Sequence, residues 1–196
     1  GVDANYVGVF EDIGYRWTVG GRAVDVIDEL AVRGAQVFRL RVWVEDEPGS
    51  LEPGTLQDAA PLARRAQRAG MYVIPTLLMS QGWGEDTRQN APAAWAQLDL
   101  EARADTARAW AQMAARRLEA EGITSRTWAI GNETDYGFCG EYRLTTDLDV
   151  LRAEVWPRAA ALLRATADGV RQGCSGGELE FILHLSRGHD PQFAVA

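Results

Sequence analysis

The sequence predicts an α/β protein, an incomplete (β/α)8 TIM barrel with strands one to five parallel and helices outside. Five short apolar runs alternate with four stretches of helical hydrophobic period. The longer loops all follow the strands, which is the asymmetry of barrel enzymes. The count stops at five strands in 196 residues, whereas a closed eight-stranded barrel takes roughly 250. Residues 1–196 therefore read as a single barrel domain lacking its last three strands.

The first strand is expected over Val2 to Val7. Val24, Ile27 and Leu30 stand at i, i+3 and i+6 and begin a helix. The second strand runs from Val37 to Val44, followed by a loop from Glu45 to Gly54. Thr55 caps a helix reaching Ala69. The third strand covers Tyr72 to Leu78 and a long loop follows, Ser80 to Leu98. A helix from Asp99 to Glu121 lines up Ala107, Trp110, Ala111, Ala114 and Leu118. The fourth strand is Thr127 to Gly131, with a loop from Thr134 to Asp149. Leu151, Val155, Ala159, Leu162, Thr166 and Val170 form the last helical stripe, and Leu179 to Leu185 the fifth strand. Gly34, Gly70, Gly122 and Gly173 fall just past these helices, where a left-handed C-cap is wanted. Sequential parallel order 1-2-3-4-5 is expected.

Strand alternation sorts the side chains. Phe38, Leu40, Val42 and Val44 share one face of the second strand, leaving Arg39, Arg41 and Trp43 inward. Ala129, Gly131 and Glu133 face inward from the fourth strand and Glu180, Ile182 and His184 from the fifth. In the first, Asp3 and Asn5 do so. Two guanidiniums inside a barrel require carboxylate partners. A carboxylate just past a parallel strand's C-terminal end is where barrels keep catalytic groups, so Glu133 is the candidate. Trp43 and Trp83, near strand tops, suit the C–H face of a sugar or simple packing.

Composition narrows the function. The net charge is −8, with a hydrophobic content of 46%. An acidic surface repels phosphate backbones, which argues against nucleic acid as a partner. All 20 basic residues are arginine, which excludes a P-loop or Schiff-base lysine. Only His184, His189, Cys139 and Cys174 could serve as soft ligands, without CxxC spacing, so no metal or other cofactor is expected. The two cysteines fall at opposite ends of the expected barrel, too far apart for a disulfide. No apolar run reaches the ~18 residues of a membrane span. Neither Gly82-Trp83-Gly84 nor Gly20-Gly21 has dinucleotide-binding spacing.

With these residues in place, the chain resembles the family 53 glycoside hydrolases, arabinogalactan endo-β-1,4-galactanases of the large clan of barrel glycosidases. Gly1-Val2-Asp3-Ala4 looks like the family's first strand, and Gly14-Tyr15 like the segment after it. Arg39-Leu40-Arg41-Val42-Trp43-Val44 is very close to its second-strand motif. Gly131-Asn132-Glu133 fits the fourth strand and Leu183-His184-Leu185 the fifth. The resemblance implies that Glu133 is the general acid/base, that Asn132 contacts the sugar 2-hydroxyl, that Arg41 orients the carboxylates and that His184 lines the site. Asp3, Trp43 and Trp83 join the substrate-binding set. It implies a polysaccharide substrate, a secreted or extracytoplasmic location, and a nucleophilic Glu on a seventh strand, outside these residues.

The third strand departs from the family pattern. Where the family carries Asp, then Phe-His, then Tyr-Ser-Asp-Thr-Trp, this chain runs from Thr76 to Trp83 and keeps only Ser80 and Trp83. Leu78 replaces the His, and Thr76 and Gln81 the two Asp residues. Another β-glycanase specificity, a mannanase or glucanase, is one alternative. A non-catalytic carbohydrate-binding remnant and an unrelated open α/β binding domain are the others.

Overall fold

A computed structural model describes residues 1–50 and 54–191. Leu51, Glu52 and Pro53, within the loop expected from Glu45 to Gly54, lie outside the described residues, as does the segment 192–196. The chain begins with α1 (Val7–Asp12), a hairpin of β1 (Thr18–Val19) and β2 (Arg22–Ala23), α2 (Val26–Val32) and β3 (Val37–Val42). Next come α3 (Leu56–Arg68), β4 (Tyr72–Leu77), α4 (Leu100–Ala120) and β5 (Thr127–Ile130). A second hairpin, β6 (Gly137–Phe138) and β7 (Glu141–Tyr142), precedes α5 (Leu148–Val150). One π turn, Leu151–Val155, joins α5 to α6 (Trp156–Gly173), and β8 (Glu180–Leu183) follows. Pro157 has no N–H to return to the preceding turn, so the regular ladder is interrupted where that π turn lies.

One sheet holds β3, β4, β5 and β8 in that order, every pair parallel. A helix lies between each successive pair in the chain, so the sheet is the incomplete α/β barrel that the alternation predicts. Phe38, Leu40, Leu77 and Trp128 from the sheet are buried with Ala63 and Ala66 of α3, Ala107, Ala111 and Leu118 of α4, and Leu162 and Val170 of α6. The alanines let these helices lie close to the sheet. Gly169 takes this furthest: a Cβ there would overlap the Arg108 carbonyl of α4.

Two expectations need correction. The first strand shrinks to one parallel bridge, Val2 to Phe38, with the Val2 N–H donating to Val37 O at 2.8 Å and the Val2 carbonyl accepting from Arg39 N–H at 2.9 Å. Beyond it the main chain turns and Val7 enters α1. The cause is Asn5. Its carboxamide accepts from Arg41 N at 2.9 Å and donates to Arg39 O at 3.0 Å. A side chain has taken the place of the next peptide in the ladder, freeing the backbone to leave. Gly34, Gly70 and Gly122 do adopt positive φ after their helices. Gly173 does not: it remains inside α6, and a Cβ there would crowd Ala115 of α4.

Candidate active site

The tops of β4 and β5 are sharp turns. Among the described residues three non-glycines have positive φ, and two of them, Met79 and Glu133, stand just past these strands. Glu133 sits at φ 51° and ψ 55°, a left-handed conformation costing about 1–2 kcal/mol for a residue with a Cβ. Gly131 precedes it at φ 77°, where any Cβ would overlap Thr134. Strain of this kind collects at functional sites.

Below Glu133 a continuous polar network crosses the strand tops. Asp3 Oδ2 accepts from Arg41 Nε at 2.7 Å and from Arg39 Nη1 at 3.2 Å. Arg39 Nη2 donates to Asn132 Oδ1 at 2.7 Å. The same oxygen lies 2.7 Å from His184 Nδ1. Since Asn132 Oδ1 only accepts, Nδ1 must carry the proton, and Nε2 is left as an acceptor. Asn132 Nδ2 donates to Gly84 O at 2.9 Å. Burial first, and then the Arg39 guanidinium, hold the His184 imidazole below its ordinary value, which keeps it neutral. Burial also lowers Arg39, opposed by Asp3. With Glu133 counted, two guanidiniums face two carboxyl groups.

The loops above the strands lock this network. The Thr134 N–H donates to His184 O at 3.0 Å. Buried Asp135 accepts from Ser186 N at 2.8 Å, Ser186 Oγ at 3.0 Å and Arg187 N at 2.8 Å. These bonds tie the β5 and β8 tops together and fix where His184 points. The Asp86 N–H lies 3.4 Å from Glu133 Oε2.

Asp3, Arg41, Asn132 and His184 are thus linked through Arg39, with Glu133 beside them. The tryptophans are placed differently. Trp83 is half-buried, and the Arg41 guanidinium stacks on it 3.8 Å from the ring centroid. Trp43 is 1% exposed, donates its indole N–H to Asp46 at 2.7 Å, and meets Trp83 edge-on. Trp43 therefore supports Trp83 from beneath. A cleft of about 330 Å³ adjoins the Arg41 side, lined by Asn5, Arg41, Trp43, and Gln57 and Asp58 of α3. Among the described residues no cluster of His, Cys, Asp or Glu could hold a metal ion, and no helix is long and apolar enough to cross a membrane.

Arg39 was readable as inward-facing from strand alternation, but its place at the centre of the network was not. Gln89, Asp86 and Asp135 gave no sequence signal, because each lies in a loop whose path is set by distant contacts.

A polar network with a strained carboxylic residue, gathered where parallel strands end, is the way α/β-barrel enzymes build an active site. The chain belongs to Glycosyl hydrolase family 53, whose model matches residues 1–195. The endo-β-1,4-galactanase of Bacillus subtilis is 29% identical over 147 residues, covering 72% of this chain and 34% of that protein. The arabinogalactan endo-β-1,4-galactanase of Thermothelomyces thermophilus is 28% identical over 97% of this chain and 54% of its own. A solved fungal β-1,4-galactanase superposes with a TM-score of 0.81 at 28% identity, covering 94% of this chain and 52% of that one. The catalytic domain of an Ignisphaera aggregans family member gives 0.82 at 25% identity, covering all of this chain and 53% of the other. The chain thus spans between about a third and about half the length of these relatives.

Proposed function

We propose that this site hydrolyses β-1,4-linked galactan-type plant polysaccharide, endo-acting and with retention, and that Glu133 is its general acid/base. The observation that carries the proposal is Glu133 itself, held in a left-handed turn at the top of β5 beside an Asn132 whose carboxamide is pinned by Arg39, His184 and Gly84. Retaining hydrolysis needs a protonated carboxyl to give its proton to the leaving oxygen, and a second carboxylate about 5–5.5 Å away to attack the anomeric carbon. Glu133 then takes a proton from water as the intermediate is released. Asn132 keeps one N–H for a sugar hydroxyl, His184 Nε2 accepts from another, and the half-exposed Trp83 offers an apolar edge. Arg41 and Arg39 fix the local field. In the family resemblance the attacking carboxylate stands on a seventh strand, which is not among the described residues. The galactan assignment leans on the relatives' names, and a polysaccharide substrate puts the work outside the cytoplasm.

The third strand favours a second reading, another β-glycanase. Thr76 and Leu78 are 0% and 1% exposed where the family pattern has charged or polar groups. Assays on galactan, mannan and β-glucan separate the two. In a protein carrying this segment, Glu133→Gln is expected to cut hydrolysis by roughly 10²-fold or more with unchanged circular dichroism. Activity near wild type on every substrate would remove Glu133 from the mechanism.

A further inference from the structure

Gln89 lies in the long loop after β4, 1% exposed. Its side-chain Nε2 lies 2.7 Å from the Asn132 carbonyl, 3.3 Å from the Glu133 carbonyl and 2.9 Å from the Glu85 carbonyl. Three acceptors around one amide nitrogen fix which end of the carboxamide faces them. Two of those carbonyls belong to the peptides on either side of the left-handed Glu133 Cα. In that turn both carbonyls point away from any ladder, and a buried carbonyl without a donor is costly. Gln89 supplies the donors from 43 residues away.

The placement of Gln89 is itself built. Its carbonyl accepts the Gly140 N–H. Gly140 follows Cys139, whose carbonyl accepts from Arg103 Nη1 at 3.2 Å. Arg103 belongs to α4 and also donates to Leu98 O at 2.9 Å. A rigid path therefore runs from α4, through the tip of the β6–β7 hairpin, to the backbone of Asn132 and Glu133.

We infer that Gln89 is a positioning residue for the reaction. Its carboxamide holds the Asn132–Glu133 backbone in the strained turn and so aims the Glu133 carboxyl and the Asn132 amide at the substrate. The inference rests on the reading of Glu133 as acid/base. Gln89 touches no substrate and acts only through these two residues.

Two variants test it in the protein carrying these residues. Gln89→Leu keeps the volume and removes both donors. Gln89→Glu keeps the shape; when ionised it sets an acceptor against three carbonyls, and when protonated it regains one donor. In Gln89→Leu, exchange of the Thr134 amide is expected to quicken by roughly tenfold, the scale of one lost hydrogen bond, with β3 and α4 unchanged. On a β-glycan, kcat should fall by about 10- to 100-fold with KM nearly constant, as small misplacements of a catalytic group do. For Gln89→Glu, the kcat ratio to wild type should rise as pH falls and the new carboxyl takes up its proton; a space-filling role gives a flat ratio. An unchanged kcat in folded Gln89→Leu overturns the inference. If that variant does not fold, the pH profile of Gln89→Glu decides, and a flat profile overturns it. If wild type cleaves no β-glycan, the functional reading fails separately, and the exchange experiment alone decides: unchanged Thr134 protection overturns the positioning role.

Discussion

His184 shows how a single tautomer is set by its neighbours. Asn132 Oδ1 has no proton to give, so the imidazole must present Nδ1–H to it across 2.7 Å. Burial and the nearby Arg39 charge then oppose a second proton on Nε2. The folded-state value lies below the ordinary 6.5, so as pH falls the unfolded chain takes up the proton first. Stability therefore rises with pH through the region below about 6.5 and levels off above it. The same protonation removes the Nε2 lone pair, and with it the acceptor that the proposed function assigns to a sugar hydroxyl. Nitrogen-15 NMR of the ring is expected to report the Nδ1–H form at neutral pH with a midpoint under 6.5. A midpoint above that value would mean that burial and Arg39 do not govern the ring, and the Nε2–H form would mean that Asn132 is turned the other way round.

At the level of elements, the β6–β7 hairpin is held by paired charges. Glu141 Oε2 accepts from Arg158 Nε at 2.6 Å, and Oε1 accepts from Arg103 Nη1 at 3.0 Å. The Arg158 hydrogen bond, and then the two guanidinium charges, hold Glu141 below the usual carboxylate range. A depressed carboxylate stabilises the fold above its unfolded value, near 4.5, and this contribution is lost as pH falls through the lower folded value. Breaking a fully buried pair costs about 3–5 kcal/mol. With Arg158 half exposed, Glu141→Gln is expected to cost roughly 2 kcal/mol near neutral pH. Urea unfolding at pH 7 and again near pH 3.5 should show the gap to wild type closing at the lower pH; a constant gap would assign the loss to packing instead.

The same elements show what the sequence makes legible. The faces of β3 followed from alternation alone, since Phe38, Leu40 and Val42 are apolar on one side and Arg39 and Arg41 charged on the other. A local pattern sufficed because burial acts on each strand separately. The first strand failed because one carboxamide, Asn5, imitates a peptide group, and apolar periodicity cannot see that. Gly173 reads as a cap but serves the contact with α4, since close approach and left-handed turns ask for the same residue. The position of Glu133 just past the end of β5 was legible. Its left-handed turn and the Gln89 amide that meets it were not, because the two residues join only once three loops have folded over the sheet.

On the scale of the whole molecule, the decisive feature is an edge. β8 pairs with β5 on one side and, among the described residues, with no strand on the other. Ile182 and Leu183 on it are 41% and 52% exposed. Beside them an apolar hollow of about 210 Å³ is lined by Trp156, Ala160, Leu163, Leu183 and Leu185. An unpaired edge beside exposed apolar side chains is a template for association. The solved relatives carry about as much chain again beyond the part that superposes. Residues 1–196 expressed alone are therefore expected to self-associate in sedimentation, and the pair Ile182→Lys and Leu183→Lys to reduce that association. They are also expected to be inactive on galactan and mannan, because double displacement needs two carboxyls. Asp3, the obvious second one, is held by Arg39 and Arg41. A well-behaved monomer that turns over either polysaccharide would mean that these residues make their own partner for Glu133. Asp86, whose N–H lies 3.4 Å from Glu133 Oε2, would then be the first residue to replace, and loss of turnover in Asp86→Asn would identify it.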